Sequence, residues 1–294
     1  MRRAPAPILA LVAVTAIWGY TFVPVQKAVG AYPLFAFLAV RFAISTLALA
    51  PFAWGPLRAL PRAGWAAGIV AGSFLALAYG LQTAGLELTT VTSTGFITGL
   101  YVVFTPLLAL AAFRTPVPAP VLIGVVFALA GLLLLSGAPG GSWAGNLLVL
   151  GNAVAQSFQI VAMERWAPRY DARALTILQM AVAFAGFAVV AVATGQVESP
   201  PDAATWYALV VTGVFAGALG YLVSTWVQSR TTAARAALVF TLEAPFAALF
   251  GVLLLSEHLG AAGWAGCAVM LAGIVLAEPA AAATLRRLVP ARAG

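Results

Sequence analysis

The stretch TSTGFITGLYVVFTP, Thr92 to Pro106, returns later in the chain as TTAARAALVFTLEAP, Thr231 to Pro245. Each copy opens on a hydroxyl pair, runs mainly apolar and closes on a proline fourteen positions on. The flanks repeat as well. Gly68, Gly72 and Phe74 precede the first copy, and Gly213, Gly217 and Phe215 precede the second. GVVFALAGLLLL from Gly124 follows one copy, and GCAVMLAGIVLA from Gly266 follows the other. The repeating unit is about half the chain, far longer than the period of a solenoid. Two weakly similar apolar halves are the mark of a secondary transporter whose site lies between them.

Composition sets the class. Of 294 residues, 63% are hydrophobic and only 8% are charged, where a soluble domain carries roughly 25% charged residues. The apolar runs are long enough to cross a hydrocarbon layer of about 30 Å, and no interval is left for a soluble domain. The net charge of +7 comes from basic residues scattered singly between apolar runs. That pattern reads as a topology signal rather than a nucleic-acid surface. One cysteine, Cys267, excludes an internal disulfide. Arg2 and Arg3 precede an apolar run, Ile8 to Val25, which is too long for a signal-peptide core and is read as the first span.

Ten helices are expected, near 7–26, 33–54, 64–85, 90–112, 118–136, 143–163, 173–194, 204–227, 234–254 and 261–277, in an all-α polytopic membrane protein. Charge tests the count. With the N-terminus cytoplasmic, that side receives Arg2, Arg3, Arg58, Arg62, Arg114, Arg165, Arg169, Arg173, Arg230, Arg235, Arg286, Arg287 and Arg292. The other side receives only Lys27, with Glu87, Glu198, Asp202 and Glu257. This is the positive-inside separation. Five spans per half is an odd number, so the second half (140–294) enters the membrane inverted relative to the first (1–139). Gly-x-x-x-Gly pairs supply close helix packing. Pro106 and Pro245, inside spans at matched places in the repeat, are candidate kinks and gating joints.

A polar side chain deep in a span faces the bundle interior or a cavity. Asn152, Gln156 and Gln159 share one face of the sixth span, and Thr94, Thr98, Tyr101 and Thr105 form a stripe in the fourth. Thr15, Trp18 and Phe22 make a third stripe. Tyr79 and Gln82 lie one turn apart in the third span, and Tyr221, Thr225 and Gln228 share a face in the eighth. Neutral, aromatic and amide-rich stripes suit a partly apolar small molecule held by a few hydrogen bonds; interhelical hydrogen bonding alone is the competing reading. Two charges are internal, Arg41 in the second span and Glu243 in the ninth. At about 1.5 Å per residue both reach mid-membrane. They could pair with each other, or Arg41 could hold a carboxylate while Glu243 meets an amine or carries a proton. Burial and pairing act on that carboxyl in opposite senses. A persistent pair would leave Glu243 unable to shuttle protons, which favours substrate moving down its own gradient.

The two-fold run of helices resembles the drug/metabolite transporter superfamily, and within it the ten-helix EamA-type branch. Trp18-Gly19, Arg41 in RFAISTLAL, the two stretches ending at Pro106 and Pro245, Ser256-Glu257 and Gly266 to Gly273 carry the resemblance. It implies a monomeric inner-membrane carrier of small metabolites, working by alternating access and without a cofactor. The aromatic and amide stripes make the chain most similar to amino-acid exporters of the YddG-like, aromatic-exporting kind. Its departures are Arg114-Thr115, with no acid, in the first half where the second half has Ser256-Glu257. The four-helix multidrug exporters of the superfamily carry a glutamate in their first span, and positions 8–26 hold no acid here. Phosphate-bearing substrates need several basic groups, against one deep arginine. The one histidine, His258, is at a helix end, and no nucleophile–base pair, metal cluster or phosphate loop suggests an enzyme. A broad-specificity exporter is the alternative, and a passive channel or scaffold is a further one; two halves do not supply the ring of groups a channel filter needs.

Overall fold

Why the fourth and ninth apolar runs fold as they do is decided at two backbone breaks. The computed structural model describes residues 6–114, 116–136, 142–256 and 258–277. The terminal arginines 2, 3, 286, 287 and 292, Thr115, Glu257 and the 137–141 connector, with the expected half boundary at 139/140, lie outside them. In the fourth run, α4 (Val91–Gly99) gives way at Leu100 to α5 (Tyr101–Phe113). In the ninth, α11 (Ala233–Phe240) gives way at Thr241 and Leu242 to α12 (Glu243–Leu255). Pro245 explains the second break. It has no N–H to give the Thr241 carbonyl, which takes the tighter bond from Ala244 N (3.1 Å) instead. In the first, Leu100 N donates to Ile97 O (3.1 Å), with Leu100 six residues ahead of Pro106.

These two runs have one construction, 142 residues apart. Thr90 caps α4 and Thr232 caps α11, each hydroxyl accepting a backbone N–H. Leu100 and Leu242 head the second segments, and Arg114 and Ser256 close them in the left-handed conformation, at φ of 52° and 56°. The alignment of hydroxyl pair to proline sets the copies 139 apart, almost a turn out of this register. Pro106 is therefore the sixth residue of its segment and Pro245 the third, so the prolines do not occupy matched places. The matched joints are Leu100 and Leu242.

The remaining helices are α1 (Ala6–Val29), α2 (Leu34–Arg58), α3 (Arg62–Leu88), α6 (Ala119–Ser136), α7 (Trp143–Trp166), α8 (Ala172–Ala193), α9 (Ala203–Val210), α10 (Gly220–Gln228) and α13 (Ala261–Ala277). A π-helical stretch, Val211–Leu219, joins α9 to α10 within the eighth run. Among the described residues every element is helical. Eight runs are long and apolar enough to cross a membrane, and α6 and α13 contribute shorter apolar helices.

Glycines fix how the helices meet. α6 and α13 cross antiparallel: a Cβ on Gly124 would stand 2.9 Å from the Gly273 carbonyl, and one on Gly131 would stand 2.6 Å from the Gly266 carbonyl. Only a bare backbone permits that approach. The same exchange links α3 with α8 and the π-helical stretch with α2. Gly72 abuts Gln179 and Val182, and Gly213 abuts Arg41 and Ile44. Gln179 and Val182 thus occupy the places of Arg41 and Ile44, 138 residues on. Gly72, not Gly68, is the counterpart of Gly213.

Candidate functional site

Two adjoining cavities lie where α1, α2, α3, α4, α7, α10, α11 and the heads of α5 and α12 converge. One is lined by Tyr101, Gln156, Tyr221 and Phe240, with Thr98 and Asn152 behind. The other is lined by Phe22, Arg41, Thr21, Thr83, Val25 and Leu86. Trp18, Tyr79, Gln82 and Glu243 face both. Each measures about 20 Å³, room for a water molecule and not for a metabolite. The chain is closed around these groups in this conformation.

The helix break places two of the linings. Tyr101 and Glu243 are the first residues after the matched joints, so each side chain leaves its helix at the bend. The Tyr101 hydroxyl is buried without a hydrogen-bond partner, an arrangement that costs about 1–3 kcal/mol unless a partner arrives. Trp18 is fixed by its indole N–H, which donates to the Ala216 carbonyl at 3.0 Å. That acceptor is in the π-helical stretch, where carbonyls are displaced from the α-helical ladder; Ser45 Oγ donates to a second, Gly213 O, at 2.7 Å. With its N–H spent, Trp18 offers the cavity a ring. Tyr221 and Phe240 pack against it at centroid distances of 5.2 and 5.4 Å.

Arg41 is 3% exposed. Its guanidinium stands over the Tyr79 ring at 4.6 Å and near Phe42 at 5.6 Å, a cation–π setting. Its Nε is buried and unpartnered. Arg41 and Glu243 line one cavity, yet among the described residues they do not approach within ion-pair distance of each other. Of the two arrangements that shared depth allows, the ion pair is not formed; the guanidinium is stacked on Tyr79 instead. No group of His, Cys, Asp and Glu able to hold a metal is present among the described residues.

Of the seventeen stripe and charged side chains singled out in the sequence, eleven line these cavities; Gln159 is one of the six that do not. It is buried and donates to Gln179 Oε1 at 2.7 Å while accepting from Gln156 Nε2 at 3.2 Å. Gln159 therefore positions Gln156 and ties α7 to α8. Other stripe members are similarly engaged: Thr15 and Thr94 bond back to their own helices, Thr225 meets Thr176, and Gln228 donates to Ser224. Thr98 accepts from both Asn152 (2.9 Å) and Gln82 (3.2 Å), which orients those amides. Phe240, Thr21, Thr83, Val25 and Leu86 are linings that helical periodicity did not single out. Outside the spans, the Arg173 guanidinium holds the Asp171 carboxyl below the usual carboxylate range.

An all-helical chain with eight long apolar runs and a polar, aromatic, closed interior cavity defines a multi-pass membrane transporter of small molecules. The chain belongs to the EamA-like transporter family, whose model matches it twice, over residues 5–137 and 143–277. It is 30% identical over 273 residues to an uncharacterized transporter of Archaeoglobus fulgidus, covering 91% of this chain and 84% of that one. A solved crystal structure superposes with a TM-score of 0.77 at 20% identity, over 97% of this chain and 99% of its own, which is a likeness of fold.

Proposed function

We propose that this transporter exports amino acids, aromatic or otherwise neutral, across a bacterial cytoplasmic membrane by alternating access. The observation that carries the reading is one cation and one acid facing a single aromatic-walled cavity without neutralising each other. Arg41 receives the carboxylate and Glu243 the ammonium of a zwitterion. Trp18, Phe22, Tyr79, Tyr101, Tyr221 and Phe240 enclose the side chain, and Gln82 and Gln156 add hydrogen bonds. A monomer suffices, since every one of these groups comes from one chain.

In this reading the architecture is ten spans in two inverted repeats, 1–139 and 140–294, with both termini cytoplasmic. The antiparallel crossing of the corresponding helices α6 and α13 supports inversion. The joints at Leu100 and Leu242 are where the broken spans bend as the cavity opens to either side; Pro245 weakens one of them directly. A cysteine placed at Pro200 should then label from outside and one at Tyr170 from inside; the opposite pattern sinks the topology.

The function is tested in vesicles loaded with labelled amino acids. Saturable efflux of a zwitterionic amino acid, weaker for its amide and for its deaminated acid, is the expected result. Equal transport of unrelated uncharged drugs would point to the broad-specificity exporter, and non-saturable leak to a channel.

A further inference from the structure

A recess lies apart from the central cavities. It measures about 730 Å³ and opens on the flank of the bundle, between the 167–171 loop, the start of α8 and the outward face of α10. Behind it α8 and α10 are bridged by Thr176 and Thr225 at 3.2 Å. Along α10 the lining is ordered by depth. Leu222 and Val223 lie deepest, Trp226 comes one turn on, and Arg230 follows just past the helix end. Leu222 to Arg230 spans roughly 12 Å at about 1.5 Å per residue. Tyr170 and Arg173 face this series from the other wall.

Apolar, then aromatic, then basic is the order of a phospholipid from acyl chain to headgroup. Both arginines are held in place. Arg230 lies 4.4 Å over the Trp226 ring and donates to the Trp226 carbonyl and Ser229 Oγ from one nitrogen, Nη1. Arg173 is fixed by Asp171 through Nε (3.1 Å) and Nη2 (2.9 Å). Asp171 offsets one of the two charges, so the recess is left net positive by one. Nη2 of Arg230 and Nη1 of Arg173 keep donors for an anion.

We propose that this recess is a binding site for one anionic phospholipid of the arginine-rich leaflet. Its phosphate lies between Arg173 and Arg230, its glycerol against Trp226 and Tyr170, and an acyl chain along Leu222 and Val223. Basic pockets between spans on that side recruit such headgroups. Tyr221, next in sequence to Leu222, lines the central cavity on the other side of α10. The inference needs only membership of a membrane family, not the amino-acid reading.

Arg58 provides the control. It stacks on Trp54 at 4.8 Å at the end of α2, on the same side of the bundle, since the neighbouring Leu60 packs with Ala174, Leu178 and Tyr170. It is not among the residues that line this recess. The protein is reconstituted in phosphatidylcholine vesicles with rising fractions of phosphatidylglycerol brominated on its acyl chains, and tryptophan fluorescence is followed. A saturable quenching component is expected at low fraction, absent in Trp226→Phe. Its midpoint should rise about fivefold in Arg230→Gln, the weight of one surface arginine, and stay put in Arg58→Gln and in inorganic phosphate. Equal quenching by brominated phosphatidylcholine, an equal shift in Arg58→Gln, or competition by inorganic phosphate would each overturn the assignment. Arg230 is exposed and its substitution leaves the Asp171–Arg173 contact intact, so a lost midpoint there is a binding result.

Discussion

The two halves are alike where the backbone is shaped and unlike where chemistry is done. In α4–α5 and α11–α12 the threonine caps, the joints at Leu100 and Leu242, and the left-handed ends at Arg114 and Ser256 correspond one for one. At the first position after each joint, one half has Tyr101 and the other Glu243. The contrast recurs between α2 and α8. Gln179, in the place of Arg41, closes on Gln159, whereas Arg41 stacks on Tyr79 and leaves its Nε unpaired. Duplication thus supplies a repeated backbone scaffold. A cavity with distinct ends for distinct groups needs the copies to diverge at the few positions that face it.

Removing that divergence should cost most at Arg41. Arg41→Gln makes the position like its counterpart and should lower amino-acid efflux about 10- to 100-fold, the value of a hydrogen bond to a charged group, with insertion and folding unchanged. Unaltered efflux would reduce the difference between α2 and α8 to packing. On the scaffold side, Gly131→Val forces a side chain onto the Gly266 carbonyl and should destabilise the protein by about 1–3 kcal/mol, read as an earlier thermal transition. Gly55→Ala, where nothing lies within 4 Å, should not.

Glu243→Gln should weaken apparent affinity for amino acids roughly tenfold, on the scale of one charge-assisted contact. With Glu243 acting as the site for the substrate ammonium, as proposed, and not as a proton carrier, flux down the substrate gradient persists and an imposed pH gradient concentrates nothing in either form. Proton-driven accumulation in the native chain that vanishes in Glu243→Gln would make this acid the coupling site and overturn gradient-driven export.

The smallest effect concerns the helix starts. α8 is capped by Asp171, while the matching start of α2 has Pro33 and no side-chain cap. Asp171→Ala should cost about 0.5–1 kcal/mol. Arg173 depresses the Asp171 pKa in the folded chain. Its contribution is therefore fully present above the unfolded value near 4 and is lost as pH falls through the lower, folded value. Between pH 5 and 8 the native chain and Asp171→Asn should keep a constant difference in transition temperature, narrowing only in acid. A difference that changes near neutrality would contradict the contact.

The eight long apolar runs were legible in the sequence, because the hydrocarbon layer imposes a length and a polarity that each segment must meet by itself. The faces bearing Trp18, Tyr79, Tyr101, Gln156 and Tyr221 were legible too, since helical periodicity puts a side chain on a face without reference to neighbours. The tertiary structure alone decided which partner each polar group finds. Gln156 and Gln159 share a helix face, yet only Gln156 reaches a cavity, because Gln179 on another helix takes the other amide. Arg41 and Glu243 share a depth, yet the guanidinium stacks on Tyr79 and does not pair with the carboxylate. The three-residue difference between the proline register and the cap register has the same origin. A break is set by which carbonyls lose and regain donors, a property of the folded backbone that residue matching between copies does not record.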